Sequence, residues 1–411
     1  MKILVTAFTI LFLCVHAPIA YAGEVEDEFN LQLQAIVNYL ERQLLVSSQP
    51  LSQEEMRVII KDSAEWFIAA QEDSGHFGYE YLPYKDIYRE DDNMVRQGGT
   101  LYALSEIYKH QSTKDPRVAQ TIEQAISYFE SISDARDQDT EAFVCIKNSR
   151  SSTSCDLGST ALALIGVLNY VAAEPTKETV YAEIINKYAT YIQTAKFENR
   201  GFSNKYSIIS GFSENESPFY NGEAMLALVR YYQYKEDPET KTILRDSFTY
   251  LASKEEYETP LYLWIMAALK DMQKLWPDDA YVRYARDFTT WRLDQLQYKR
   301  GITHNYCAPV EGLASAYSIL EGHETDSYLH RLTTELQFWL HKTTRLQIGD
   351  SDIYRVLKDD KGLSMQKMPN LALAKGGFLT GEDELTQRID FTQHCANTYL
   401  QQLVDIDGGY L

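Results

Sequence analysis

The chain has 411 residues, with 39 Lys and Arg against 59 Asp and Glu, for a formal net charge of -20. That surplus of acid excludes most nucleic-acid binding, because phosphate backbones are held by clustered cations. Hydrophobic residues at 45% and charged residues at 24% describe a folded globule with a large core, not a disordered chain.

The chain opens on a leader pattern. Lys2 precedes the apolar run Ile3 to Val15, and Ala20-Tyr21-Ala22 places small residues at both positions a signal peptidase reads, so cleavage is expected after Ala22. His16 and Pro18 interrupt the run too early for a retained membrane anchor, and no later segment reads as a membrane span. Cys14 follows Leu13, which is too large for a lipobox, so lipidation is not expected. Residues 1–22 are therefore read as a signal peptide, 23–49 as a capping helix and 50–411 as one domain, with the mature chain exported to a periplasmic or extracellular space. Loss of Lys2 leaves 38 basic residues against 59 acidic ones.

Four cysteines remain in that chain, and an even number in an oxidising compartment favours disulfides. Cys145 and Cys155 bracket a short polar loop and are expected to pair. Cys307 and Cys395 are the remaining pair; the alternative is zinc held by both with His304 or His394, although no CxxC or HxxxH spacing supports it.

From Ser52 onward, two helical patterns alternate. The outer type follows a turn signal and is amphipathic, as in the spacing of Met56, Ile59, Ile60, Trp66, Phe67 and Ala70. The inner type is apolar or small on every side, as in Gly158-Ser-Thr-Ala-Leu-Ala-Leu-Ile-Gly-Val-Leu, and so must be buried all round. Outer helices are predicted near 52–71, 116–133, 176–196, 237–253, 277–296 and 324–342. The inner ones are predicted to start near Asn93, Gly158, Gly222, Pro260, Ala308 and Arg388. A further recurrence is a Gly-aromatic turn after outer helices, in Gly75-His76-Phe77, Gly201-Phe202, Gly376-Gly377-Phe378 and Gly408-Gly409-Tyr410, whose aromatic is expected to cover the ring's edge.

Six sequential hairpins with buried inner members resemble the (α/α)6 toroid of the six-hairpin glycosidase type, an all-α fold, over roughly residues 50 to 405. The resemblance implies a glycan-acting enzyme of one of several kinds: glycoside hydrolase, unsaturated uronyl hydrolase, sugar epimerase or polysaccharide lyase.

In such a ring the inner-helix N-termini converge on one open end, which is the expected ligand site. Polar residues at those termini are the candidates. Arg96 lies in the first turn of the first inner helix, with Asp91 or Asp92 as its expected partner. Glu223 follows Tyr220, Asn221 and Gly222, with Asn221 as the expected N-cap and Tyr220 available to stack on a sugar. Asp156 is an N-cap candidate, and Pro309 is read as opening the helix that carries Glu311. Asp390 and His394, at i and i+4, are read as a carboxylate orienting an imidazole, with Arg388 about 160° away around the helix. His304 and Tyr306 are placed on the same rim.

Neither GxSxG, GxxxxGK[ST], GxGxxG nor HExxH occurs. No cofactor and no resident metal are expected, and the partner is a glycan substrate. The leading expectation is glycan hydrolysis or remodelling, with Glu223 as proton donor, Asp390 or Glu311 as base, and Arg96 and His394 orienting the substrate. One alternative is a non-catalytic binding or scaffold protein. Another is a lyase or uronate epimerase in which His394 or a tyrosine acts as base beside an arginine-rich pocket. A polyanionic substrate is disfavoured by the net charge unless Arg96 and Arg388 form a local positive pocket.

Overall fold

The computed structural model describes residues 22–44, 50–138, 141–301, 304–359 and 362–411. The signal-peptide reading of residues 1–22 falls almost wholly outside them. The first helix, α1 (Ala22–Leu44), packs on a later β-hairpin, burying Ala35 against Tyr354 and Val356. Residues 45–49 of the expected capping segment are outside the described residues.

The hairpins then follow in order. Outer helices are α2 (Gln53–Ala70), α4 (Pro116–Ile132), α6 (Glu178–Thr194), α8 (Pro238–Ala252), α10 (Asp279–Lys299) and α12 (Asp326–Thr344). Inner helices are α3 (Met94–His110), α5 (Leu157–Ala173), α7 (Pro218–Lys235), α9 (Tyr262–Leu275), α11 (Cys307–Leu320) and α14 (Ile389–Gln401), with the single turn α13 (Leu371–Ala374) before the last. Each inner helix packs on the next, and α14 packs back on α3, so the ring closes. The chain has the (α/α)6 toroid fold.

Local chemistry explains the elements. The side chains of Ser52, Asp115, Asp237, Asp278 and Thr325 cap five of the outer helices by accepting bonds from first-turn N–H groups. Inner helices instead bury nearly every residue, as α5 does from Leu157 to Val171. Small residues set their separation: a Cβ on Gly166 would lie 2.6 Å from Leu101, and one on Gly98 would lie 3.0 Å from the Ser159 carbonyl.

Connections from inner to outer helices are short turns. The described strands all lie in the opposite connections, from outer to inner, and therefore on the face where the inner N-termini emerge. Strands β1 (Glu80–Leu82) and β2 (Ile87–Tyr88) join β10 (Leu379–Gly381) and β11 (Glu384–Arg388) in one sheet ordered β10-β11-β1-β2, pairing Glu80 with Arg388 across the ring's seam. Hairpin β3 (Ser133–Gln138) to β4 (Glu141–Ile146) stands beside a second sheet of β5 (Ser154–Asp156), β6 (Lys205–Ser207) and β7 (Gly211–Phe212). Hairpin β8 (Tyr354–Asp359) to β9 (Gly362–Lys367) is the one that receives α1.

The Gly-aromatic turns differ from expectation. Phe77, Phe202 and Phe378 are fully buried in the core, and only Tyr410, which follows an inner helix, is exposed. Gly75 and Gly376 have φ of +87° and +89°, where a side chain would also strike neighbouring backbone. A repeated hydrogen bond holds the turns. The fourth residue of an inner helix (Gln97, Asn221 or Thr392) accepts from the backbone N–H of Phe77, Phe202 or Phe378, and Thr160 does the same for Ile146. Buried N–H groups of the connection are thereby satisfied by side chains of the ring.

Both cysteine pairs are bonded, Cys145 to Cys155 and Cys307 to Cys395. Cys307 and Cys395 are joined to each other, so neither thiolate is available for the alternative zinc site. The second bridge closes 88 residues, against 10 for the first, and ties α11 to α14. Loop entropy assigns about 4 to 5 kcal/mol to the longer bridge and about 2 to 3 kcal/mol to the shorter. A Cys307→Ser/Cys395→Ser double variant is expected to lose more stability in urea unfolding than Cys145→Ser/Cys155→Ser, and the reverse order would contradict this account.

Candidate active site

At the end of the ring where the inner helices begin, Asn93 caps α3 by accepting from the Arg96 backbone N–H. The Arg96 side chain is not held by its expected partners. Asp92 instead takes up His76, at 3.0 Å, and the Gln97 amide, at 2.9 Å. Arg96 reaches across the seam to Asp390 on α14, with Nε 3.0 Å from Oδ2.

Arg388 is the N-cap of α14 and has extended backbone, so projecting it around the helix misplaces it. Its guanidinium folds back onto Asp390, Nε and Nη2 donating to the two carboxylate oxygens at 2.8 and 2.7 Å. Both guanidiniums stand over the Tyr79 ring, at 5.5 and 6.0 Å. Burial alone would raise the Asp390 carboxyl, but the Arg388 hydrogen bonds and the two guanidinium charges hold it below its ordinary value. An acid so clamped is a poor proton acceptor, which removes Asp390 from the expected role of base. It also does not orient His394.

The partner of His394 is Glu311. Its Nδ1 lies 2.8 Å from Glu311 Oε2, and the Asn397 amide donates to Oε1 at 3.1 Å. Helix α11 starts at Cys307, so Pro309 is its third residue and Glu311 sits fully buried in the second turn. Cys307–Cys395 joins the same two helices beside this pair. In the tautomer in which Nδ1 donates to the carboxylate, Nε2 is the acceptor nitrogen of the ring.

Helix α7 begins four residues earlier than its glycine suggests, with Ser217 as N-cap and Pro218 first. Asn221 is therefore no cap: its Oδ1 accepts from Phe202 N–H and its amide donates to Glu216. Glu223 falls in the second turn, 3% exposed, and its Oε2 has no hydrogen-bond partner among the described residues. Gly158 of α5 makes the slot it occupies, since a Cβ there would lie 2.2 Å from that oxygen and 2.8 Å from the Tyr220 ring. Burial without a partner pushes the Glu223 carboxyl up to about 8, so it is protonated at neutrality. Burial, then the charges of Asp156 and Glu223, raise the Tyr220 phenol.

Asp156 occupies the N-cap of α5 without a side-chain capping bond, 4.0 Å from Lys205. His304 is exposed on the loop before α11, 3.4 Å from the Thr380 carbonyl. Tyr306 turns outward to pack on Trp339 of α12, at 4.9 Å between centroids, and leaves the rim. Trp264, Tyr79 and Asn397 also stand at this site, although nothing in their sequence surroundings marks them. Trp264 lies in the apolar run of α9, yet its ring is 5.8 Å from His394 and 6.4 Å from Tyr102. A Cβ on Gly222, next to Glu223, would lie 2.5 Å from the Trp264 Cβ, so α7 and α9 approach closely at this level.

Glu223, Tyr220, Arg96, Asp390, His394 and Glu311 thus gather at one end of the ring. At the other end the charges pair among themselves around a cavity of about 220 Å3, as in Arg230 with Asp271 at 2.5 Å and Lys270 with Asp405 at 2.8 Å.

No protein-family model and no curated protein sequence matches the chain. Solved structures do share its fold. A D-mannose isomerase aligns with TM-score 0.59 at 12% identity over 86% of this chain and 98% of its own. Cellobiose 2-epimerase from Bacillus thermoamylovorans aligns with TM-score 0.57 at 14% identity over 85% and 98%. A glycoside hydrolase family 76 α-mannanase from Bacteroides thetaiotaomicron aligns with TM-score 0.56 at 10% identity over 84% and 94%.

The environment of Glu223 has a thermodynamic signature. Between its ordinary value of 4.5 and about 8, the folded chain keeps a proton that the unfolded chain has released, so this group makes stability fall as pH rises through that window. Glu223→Gln should remove that slope: its thermal midpoint relative to wild type should be higher at pH 8 than at pH 5. A difference that does not change with pH would show that Glu223 is not a buried acid.

Proposed function

We propose that this chain is an exported carbohydrate-active enzyme that transfers protons at a sugar carbon, giving epimerisation or isomerisation. The reading is carried by the pairing of His394 Nδ1 with the buried Glu311 carboxylate at 2.8 Å, at the same mouth as an acid that is protonated at neutrality. The fold is shared by an isomerase and an epimerase of sugars, which supports the reading. Two disulfides suit an oxidising, exported setting.

The chemistry follows from the two groups. His394 Nε2 takes a proton from a carbon beside a carbonyl or carboxyl group, and the C–H electron pair moves onto the adjacent oxygen. Glu223 donates its proton to that oxygen. The imidazolium proton then passes to the neighbouring carbon, giving the isomer, or to the opposite face of the same carbon once the enediol has turned over, giving the epimer, while Glu223 takes back a proton from an enediol hydroxyl, so that both groups are restored. Glu311 holds the imidazole in place, and the Trp264 ring lies 5.8 Å from it.

A second reading is glycoside hydrolysis, favoured by Glu223 alone, since the same raised acid suits protonation of a leaving glycosidic oxygen. Family 76 mannanases share the fold, one of them as an inactive variant in complex with α-1,6-mannotriose. Against this reading, Asp390 is held by two arginines and Glu311 by His394 and Asn397, so neither carboxylate is free to act as the second group.

Incubation of a panel of mono- and oligosaccharides in D2O separates the readings. Solvent deuterium should appear at a carbon of the product, His394→Asn should slow the reaction by about 10^2-fold or more, and Glu311→Gln should slow it less. Release of shorter sugars without carbon-bound deuterium would replace this proposal with hydrolysis. Binding without turnover of any sugar would leave a non-catalytic module.

A further inference from the structure

The proposed chemistry does not require the charge that stands above His394. On α14, Asp390 and His394 are one turn apart on the same face, so the backbone of Asp390, which holds Arg96 and Arg388, is about 6 Å nearer the N-terminal end of the helix than that of His394. Two guanidiniums share one carboxylate there. Arg388 uses Nε and Nη2 on it, and Arg96 uses Nε. Among the described residues no hydrogen bond engages the two Nη groups of Arg96, and its side chain is 35% exposed. The Nη edge of this partly exposed guanidinium is thus an unused pair of donors among the described residues.

Its surroundings hold it there. Tyr79, 4% exposed, underlies both guanidiniums, and Asp390 fixes the inner edge of Arg96. Arg96, Arg388 and Asp390 together sum to one positive charge, with Asp390 and Arg388 the charged groups that act on Arg96, while Glu80 and Glu384 act on Arg388 from the sheet side. A planar guanidinium with two parallel free donors fits a planar carboxylate in a bidentate pair. A phosphate dianion suits this place less well, because only one net charge is present and Asp390 repels the second.

We infer that the sugar taken into this mouth is acidic, a uronate whose carboxylate seats on the outer edge of Arg96 while its ring lies over His394. The inference rests on the proton-transfer reading and names its substrate class. It also reconciles the chain's negative charge with an acidic ligand, since attraction is confined to one partly buried point. Arg96 is on this account the specificity-determining residue.

Calorimetric titration of the protein with glucuronate, galacturonate and mannuronate, against glucose, galactose, mannose and glucose 6-phosphate, tests it. A uronate should bind about tenfold or more tightly than its neutral counterpart. Added NaCl should weaken the uronate and leave the neutral sugar unaffected. Arg96→Gln should abolish the preference and Arg96→Lys should retain part of it, thermal unfolding confirming that each variant is folded. The salt comparison on the unaltered protein decides the matter if a variant does not fold. Equal binding of neutral sugars and uronates would overturn the inference while the sugar-enzyme reading stands. A preference for the phosphate would overturn it in favour of a dianion site. Failure of every sugar to bind or react would remove the proposed function and this inference with it.

Discussion

Closure of the ring between its first and last hairpins is the constraint on which the rest depends. Each inner helix is apolar on nearly all sides and is stable only with a neighbour on each flank, so an open chain of hairpins would leave two apolar flanks in water. The seam between α3 and α14 meets this requirement with several contacts of different kinds. A Cβ on Gly99 would lie 2.1 Å from Gln393, Arg96 pairs with Asp390, and β1 pairs with β11. At the opposite face Ser112 N–H donates to the Leu411 carbonyl and Arg57 Nε to that of Tyr410, tying the last residues to the first hairpin.

Closure also determines where polar groups can be stored. A residue on the inner side of an inner helix sees other inner helices, and near the N-terminal end it sees the mouth. Glu223 and Glu311 are both in second turns and are only 3% and 0% exposed, yet their surroundings separate their behaviour. Glu311 accepts from His394 and Asn397, whereas Glu223 faces a slot left by a missing side chain on Gly158 and has only burial acting on it. Two carboxyl groups of similar depth therefore have different surroundings, one hydrogen-bonded to an imidazole and the other pushed up by burial alone.

The hairpin connections complete the division between the two faces. Short turns serve the end where inner helices finish, and acids and bases there neutralise one another. Strands occupy the connections on the other face, where a fourth-position side chain repeatedly anchors a buried backbone N–H. This arrangement lets the connections vary in length while the first turns of the ring stay in place. The Cys307–Cys395 bridge adds a covalent tie next to the Glu311–His394 contact.

Alternation of amphipathic and all-apolar helices was legible in the sequence because burial on one side or on all sides leaves a direct mark on residue pattern. The disulfide pairs were legible for another reason, an even number of cysteines with Cys145 and Cys155 bracketing one short loop. Partners across the ring were not legible. Arg96 was matched to Asp91 or Asp92, and His394 to Asp390, because those acids are near in sequence, while the contacts formed are with Asp390 and Glu311. The N-cap reading of Asn221 failed for a related reason: Ser217 and Pro218 start the helix a turn earlier, and the amide is used on a neighbouring connection. Helical periodicity records which face of an element is dry, and it was sufficient for the fold. Which charge meets which depends on the rotation and height of helices far apart in the chain, and only the packed ring decides that.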